Sequence, residues 1–245
     1  MTNRIASPVP GILLGLTLLL FVAATVLAPA ASAAGKVQAN LRVVTWKGKI
    51  VFDGKARTGT TSIKPNTECL GGRVGPARTV SGPTALGLLV AAAKKSPALR
   101  PLKLTDTDFG FGICGIGGVA AQNEEWWLLR HNYKDSTTGA ELTTLKKNDT
   151  ILLYLAESYM NPENPDSLFL KAPAKVKKGK VAKVRVFKYT GAGKRSPVKG
   201  AKVKGAAKPT NAKGWAKIKI TKRTRTVARL SGLIPSNRAV IGIRR

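Results

Sequence analysis

The stretch KVAKVRVFKY (Lys180 to Tyr189) alternates apolar residues with cations: Ala182, Val184 and Val186 fall on one side, Lys183 and Arg185 on the other. Side chains along a strand point to opposite faces in turn, so this spacing predicts a half-buried β-strand with a cationic outer face. The period recurs in VKGAKVKG, where Ala201 and Val203 oppose Lys202 and Lys204, and in WAKIKI, where Ala216, Ile218 and Ile220 oppose Lys217 and Lys219. A disordered basic tail has no such apolar face. The segments GAGKRSP, KPTNAKG and LIPSN place turns between the runs. Several short strands at regular intervals predict a small all-β sandwich over residues 172–245.

The phrases SPVKGAKVKG and TNAKGWAKI in this region are similar to the P-V-x-G-A-x-V and T-N-A-x-G-x-A signatures of bacterial immunoglobulin-like and carboxypeptidase-regulatory-like modules. The resemblance covers about residues 172–245. It implies a spacer or adhesive unit, with no catalytic residues to carry over.

Working outward, the charge changes abruptly. The chain carries a formal +30, but residues 171–245 hold 24 Lys/Arg and no acid, whereas 35–170 hold 17 Lys/Arg and all 12 Asp/Glu. The break follows NPENPDS (Asn161 to Ser167), so residues 161–171 read as a linker. A cationic strand face attracts polyanions through a field screened over about 8 Å at physiological salt. Lys183, Arg185, Lys202, Lys204, Lys217 and Lys219 are the candidate polyanion-binding residues, with an anionic cell-wall polymer or a membrane surface as the expected partner. Few aromatics are interleaved with these charges in sequence, which weighs against nucleic acid. The competing reading is charge that only maintains solubility.

The N-terminus supports an extracellular setting. Arg4 precedes an apolar run from Gly11 to Leu27, closed by APAASAAG, the small-residue pattern of a signal-peptide cleavage site; residues 1–34 read as a signal peptide. The same run is long enough to stay as a membrane anchor. No second apolar run follows, so no retained transmembrane helix is expected once the leader is removed. In an oxidising compartment Cys69 and Cys114 are expected to pair, the alternative being two buried thiols. Two cysteines and His131 fall short of a zinc ligand set, and neither a metal nor a cofactor is expected.

The first region, residues 35–160, opens on short strands, VQANLRVVTW and KIVFDGKA, the latter with Ile50 and Phe52 on one face, joined by a turn at Lys47-Gly48. A helix starts at SGPTA, with Ser81 as cap, Leu86, Leu89, Val90 and Ala93 on one face, and Ser96-Pro97 as its stop. FGFGICGIGGV (Phe109 to Val119) has no nucleotide-loop context and reads as a strand with a bulge or tight turn. EWWLLRHNY and DTILLYLAES supply two more strands. Strands, one helix and further strands in this order predict an α+β β-grasp domain.

SGPTALGLL, FGFGICGIGG, the WW pair, Gly139 and NDTILLYLA stand in the order found in the transcobalamin-like C-terminal domain, which also recurs in secreted bacterial proteins. The resemblance covers about residues 37–157 and implies a β-grasp fold. It departs from the family at Asn132-Tyr133, where Asn-Gly is common, and at Asn148-Asp149, where Gly-Asp is common. The family's large helical partner domain is absent from this chain, so the resemblance speaks to fold more than to ligand.

On a strand Trp126 and Trp127 face opposite ways. Both read as packing residues, or else the outward ring forms a ligand platform with Tyr133, Tyr154 or Tyr159. Trp126, Trp127, Tyr133 and Tyr154 are the candidate ligand-binding residues. His131 has no nucleophile or second carboxylate at recognisable spacing, and neither G-x-S-x-G nor H-E-x-x-H occurs. The expected function is non-catalytic binding or adhesion, held electrostatically at an anionic surface. The alternative is a small-molecule binder for a corrinoid-like or glycan ligand.

Overall fold

The run ILLYLA (Ile151 to Ala156) is apolar or aromatic at every position, the signature of a strand covered on both faces. The computed structural model, which describes residues 35–45, 47–157 and 164–244, places it at the centre of a five-stranded sheet. The run read as a signal peptide and Tyr159 lie outside the described residues. Among those described, no helix is long and apolar enough to cross a membrane. The described residues are mostly β-sheet, in several sheets, with one α-helix and a short 3₁₀ turn.

In chain order the first lobe comprises β1 (Val37–Val44), β2 (Ile50–Thr58), β3 (Thr61–Ile63), β4 (Arg78–Val80), α1 (Ala85–Lys95), β5 (Leu102–Thr107), β6 (Gly110–Ile116), β7 (Val119–Ala120), β8 (Trp126–His131), β9 (Lys134–Asp135) and β10 (Thr150–Ala156). The main sheet runs β2-β1-β10-β8-β9. Its β1–β10 pair is parallel and its other pairs antiparallel. One face packs Leu41, Val43, Ile151, Leu153, Leu155 and Trp127 into a core with Leu86, Leu88, Leu89 and Ala92 of the helix. β5, β6 and β7 form a separate three-stranded sheet.

Three local expectations change. The helix is capped by Thr84, whose Oγ1 accepts from the Gly87 amide at 3.1 Å, and not by Ser81. Thr84 stands where its side chain reaches an otherwise orphaned donor of the first turn; Ser81 precedes that turn. Ile50 and Phe52 do not share a face. A register shift between Val43 and Val44 sends Ile50 to the far side of the sheet, whereas Phe52 packs against the helix core. The glycine run is β6 followed by a turn at Gly117 and Gly118, both at positive φ; a Cβ on Gly117 would strike the Ala98 carbonyl.

The second lobe comprises β11 (Ser167–Lys171), β12 (Lys175–Lys177), β13 (Val181–Tyr189), β14 (Arg195–Pro197), β15 (Lys202–Val203), β16 (Trp215–Lys219), β17 (Thr224–Thr226), β18 (Ala228–Arg229) and β19 (Ala239–Arg244). β13 is the hub: β11 lies on one side, and β14 and β16 on the other. Ala182, Val184, Val186, Ala201, Ala216 and Ile218 fill the core, as the alternation requires. Residues 167–171, read as part of a linker, are a strand instead. Leu168 and Leu170 are buried and the segment pairs with Arg185–Tyr189. The Pro/Asn composition that suggested a linker belongs to the residues before it.

Residues 33–245 cluster as one compact unit. The far face of the first sheet packs Val44, Leu152, Tyr154 and Ala156 against Ile234. Arg42, buried on that face, donates from Nη1 to the carbonyls of Leu168 (3.2 Å) and Pro235 (2.8 Å). Arg130, in the same cross-strand row with Leu152 between them, donates to Pro165 O at 3.0 Å and to Asp135 at 2.5 Å. Asp53 accepts from the Arg238 amide, and Arg238 Nη2 reaches Ile50 O at 2.9 Å.

Candidate functional site

The first region of interest is a cavity of about 580 Å³ in the first lobe, bounded by Trp126, Trp127, Phe109, Phe111, Leu70 and Thr138. Trp127 is buried among the helix-side residues, as one ring of an alternating pair must be, and Trp126 is half-buried. The Trp127 Nε1 donor is buried with no hydrogen-bond partner among the described residues. A buried indole N–H normally finds an acceptor. The Cys69–Cys114 disulfide, predicted from the two cysteines, forms with its Cα atoms 6.0 Å apart. It ties the Leu70 side of the cavity to β6. Arg78 braces Phe111 of the lining, stacked 4.2 Å over its ring and paired with Asp106 at 2.8 Å. Phe109, 97 % exposed, projects at the rim.

The two tyrosines predicted to join the tryptophans do not reach this cavity. Tyr154 lies on the far face of β10, 2 % exposed, with Arg130 5.1 Å from its ring. Burial pushes its phenol up to about 12. Tyr154 borders a second cavity, of about 740 Å³, between the lobes, together with Lys47, Lys202 and Arg229. Tyr133 belongs to neither. Its ring stacks on Tyr189 at 4.3 Å and meets Phe169 edge-on at 5.4 Å, and burial raises its pKa too.

That position explains how Asn132-Tyr133 replaces an Asn-Gly turn. Both residues take positive φ, 49° and 70°, the geometry of a tight hairpin turn that favours glycine. The backbone cost at Tyr133 is offset by its aromatic contacts with the second lobe. Asn148, at φ 70°, takes the left-handed backbone that asparagine tolerates.

His131 Nε2 lies 2.8 Å from Asp149 Oδ2, and the same carboxylate accepts from Asn132 Nδ2 at 2.9 Å and the Lys146 amide at 2.8 Å. Burial acts to raise the Asp149 pKa, but these hydrogen bonds outweigh it and hold the carboxyl below its ordinary value. The cluster locks a turn. Among the described residues no group of three or more His, Cys, Asp or Glu is placed to hold a metal ion.

The second region of interest is the outer face of the β13 sheet. Lys183 and Arg185 stand on it directly opposite Lys217 and Trp215 of β16, and Lys219 opposes Val181. Four of the six predicted polyanion-binding residues therefore share one surface. Lys202 and Lys204 do not join it: Lys202 pairs with Arg229 in a separate two-stranded sheet, and Lys204 follows that strand. The face also carries residues that the alternation pattern alone did not single out. Lys171 opposes Arg185 from β11, and Arg195 of β14 lies 4.8 Å from the Phe187 ring. Arg185 sits 4.7 Å from Phe187 and 5.2 Å from the exposed ring of Trp215. Alternation within β13 and β16 already puts Phe187 beside Arg185 and Trp215 beside Lys217, whereas only cross-strand register adds Lys171 and Arg195 and sets Arg185 against Trp215.

No family model and no curated protein matches the chain. Solved structures do. The crystal structure of haptocorrin in complex with Cbi is 14% identical over 51% of this chain and 26% of the haptocorrin chain, with a TM-score of 0.35. A candidate metal-binding protein from Ruminococcus gnavus ATCC 29149 is 14% identical over 50% of this chain and 99% of its own, with a TM-score of 0.32. The chain thus corresponds to about a quarter of haptocorrin's length.

Proposed function

We propose that this protein is a secreted, non-catalytic binding protein held by charge at an anionic polymer of the cell surface. One observation carries the reading: β13 and β16 turn Lys183, Arg185, Lys217 and Lys219 toward solvent in a region of 75 residues without a single acid. A rigid cationic surface binds polyanions with an affinity that falls as salt rises. We read the second lobe as an immunoglobulin-like sandwich that displays this surface. The first lobe, with one helix across a mixed sheet, we read as a transcobalamin-like β-grasp module. The test is retention on cell-wall fragments in increasing sodium chloride. Release of the full chain between about 0.15 and 1 M salt is expected. Retention through that range defeats the reading.

A second reading rests on the cavity at Trp126 and Trp127. Its apolar lining, with the unpaired Trp127 Nε1 donor in its wall, suits a small hydrophobic ligand that offers one acceptor. Corrinoid-like and glycan ligands are the candidates to titrate, following tryptophan fluorescence. A change abolished in Trp127→Phe, which keeps the bulk and removes the donor, supports the cavity as the site. No response across the panel removes it.

A further inference from the structure

We propose that the open half of the β13 face binds an acidic polysaccharide, with a sugar ring on Trp215 and its carboxylates on the surrounding cations. The proposal rests on the tethering reading and adds to it the class of polymer and the residue that selects it.

Three observations lead there. First, the face carries like charges directly opposite one another. Lys183 faces Lys217, and Lys171 faces Arg185. Cross-strand cations at this separation repel, and the second lobe has no acid of its own from residue 171 onward. An anion lying along the strands would relieve both pairs. Outward positions repeat about every 7 Å along a strand and about 5 Å across, so the four cations form a lattice for a linear polyanion and not a pocket for one ion.

Second, the aromatic rings of this face are unequally available. Tyr189 is stacked on Tyr133. Phe187 is 7% exposed, with Arg185 and Arg195 over its ring. Trp215 is 40% exposed, beside Arg185 and two residues from Lys217 on the same face of β16. The open half therefore presents one ring platform among cations.

Third, one platform decides between ring-bearing polyanions. A single-stranded nucleic acid is held by a series of aromatics that take successive bases. A polyuronate needs less: its sugar rings are aliphatic on their faces, one stacks on an indole, and each neighbouring ring supplies a carboxylate to the lattice. Arg185 is also fixed in place, with Nε donating to Lys213 O at 3.0 Å, which keeps its guanidinium beside the indole.

The test uses the full chain and three probes: polygalacturonate, inorganic polyphosphate, which has charge but no rings, and oligodeoxythymidylate. The expected result is that Trp215→Ala weakens polygalacturonate binding at least about fivefold and leaves polyphosphate within about twofold, the loss of one ring contact. Trp215→Tyr, which retains a ring, restores most of the polygalacturonate affinity and answers any loss of folding in the alanine variant. Lys183→Gln with Lys217→Gln weakens both polymers about tenfold or more at low salt. If Trp215→Ala affects neither polymer, the glycan proposal fails while tethering stands. If the double lysine variant affects neither, the tethering reading fails and takes the proposal with it. Tighter binding of the oligonucleotide than of polygalacturonate overturns the choice of partner.

Discussion

β10 and β13 are the central strands of their sheets, and their far faces have opposite fates. The far face of β10 is closed by the second lobe, and the cations beside it are held inside the molecule. Arg42 donates to two main-chain carbonyls of the second lobe, and Arg130 to a third and to Asp135. The outer face of β13 is closed only at its Tyr189 end, by Tyr133 of the first lobe. At the other end Lys183 meets Lys217 with no acid to answer either. A cation in this fold is anchored on groups of the chain itself where the lobes meet, although Arg42 Nε and Nη2 and Arg130 Nη2 have no hydrogen-bond partner among the described residues. Where the lobes part, a cation is left for something outside the chain. The contrast makes the lobe junction a structural element and the open face a functional one.

The largest expected effect lies on the closed side. Arg42→Ala leaves the buried carbonyls of Leu168 and Pro235 without a donor and removes one of the two cations near Asp53, and the cost is expected to be about 3 kcal/mol. Burial pushes the Arg42 guanidinium below its ordinary pKa and the Asp53 carboxyl above its own. Urea unfolding of the full chain measures it. A loss under about 1 kcal/mol would show the junction to be incidental packing.

Next comes the turn that reaches across the junction. Tyr133→Ala removes the stack on Tyr189 while keeping a side chain at φ 70°, and should cost about 2 kcal/mol. Tyr133→Gly loses the same contacts but relieves the left-handed backbone, so it should be less damaging by about 1 kcal/mol. Thermal denaturation ranks the pair. Equal losses would mean that the backbone is not strained there.

Some of this was legible in the residues, and the division follows the physics. Period-two alternation in KVAKVRVFKY and WAKIKI named the second lobe's strands, because each has one apolar and one wet face. The unbroken ILLYLA run carried the signature of a doubly covered strand, but nothing in it said that the second cover is the other lobe. Hence the sequence alone reads Tyr133 and Tyr154 as ligand residues, whereas both serve the junction. Leu102–Thr107 carries little strand signal because LKLTDT has only two strongly apolar residues. The basic site was half visible. Charge located Lys183, Arg185, Lys217 and Lys219, and alternation in WAKIKI puts Trp215 on the same face, while Lys171 and Arg195 join them only through register, which is a property of the sheet and not of any one segment.

The smallest expected effect in stability is the most telling about the open face. Lys217→Glu places a carboxylate opposite Lys183 in a non-buried cross-strand pair. Repulsion becomes attraction, and the protein should gain about 0.5 kcal/mol. Almost any substitution on the closed side lowers stability; this one raises it, because the native residue is poorly suited to the folded chain by itself. The same change should weaken retention on cell-wall fragments, since it removes one positive charge and adds a negative one in the middle of the lattice. Stability and binding moving in opposite directions is the pattern of a residue kept for a partner. If Lys217→Glu lowers both, Lys217 serves the fold, and the two ends of β13 do not differ in the way proposed.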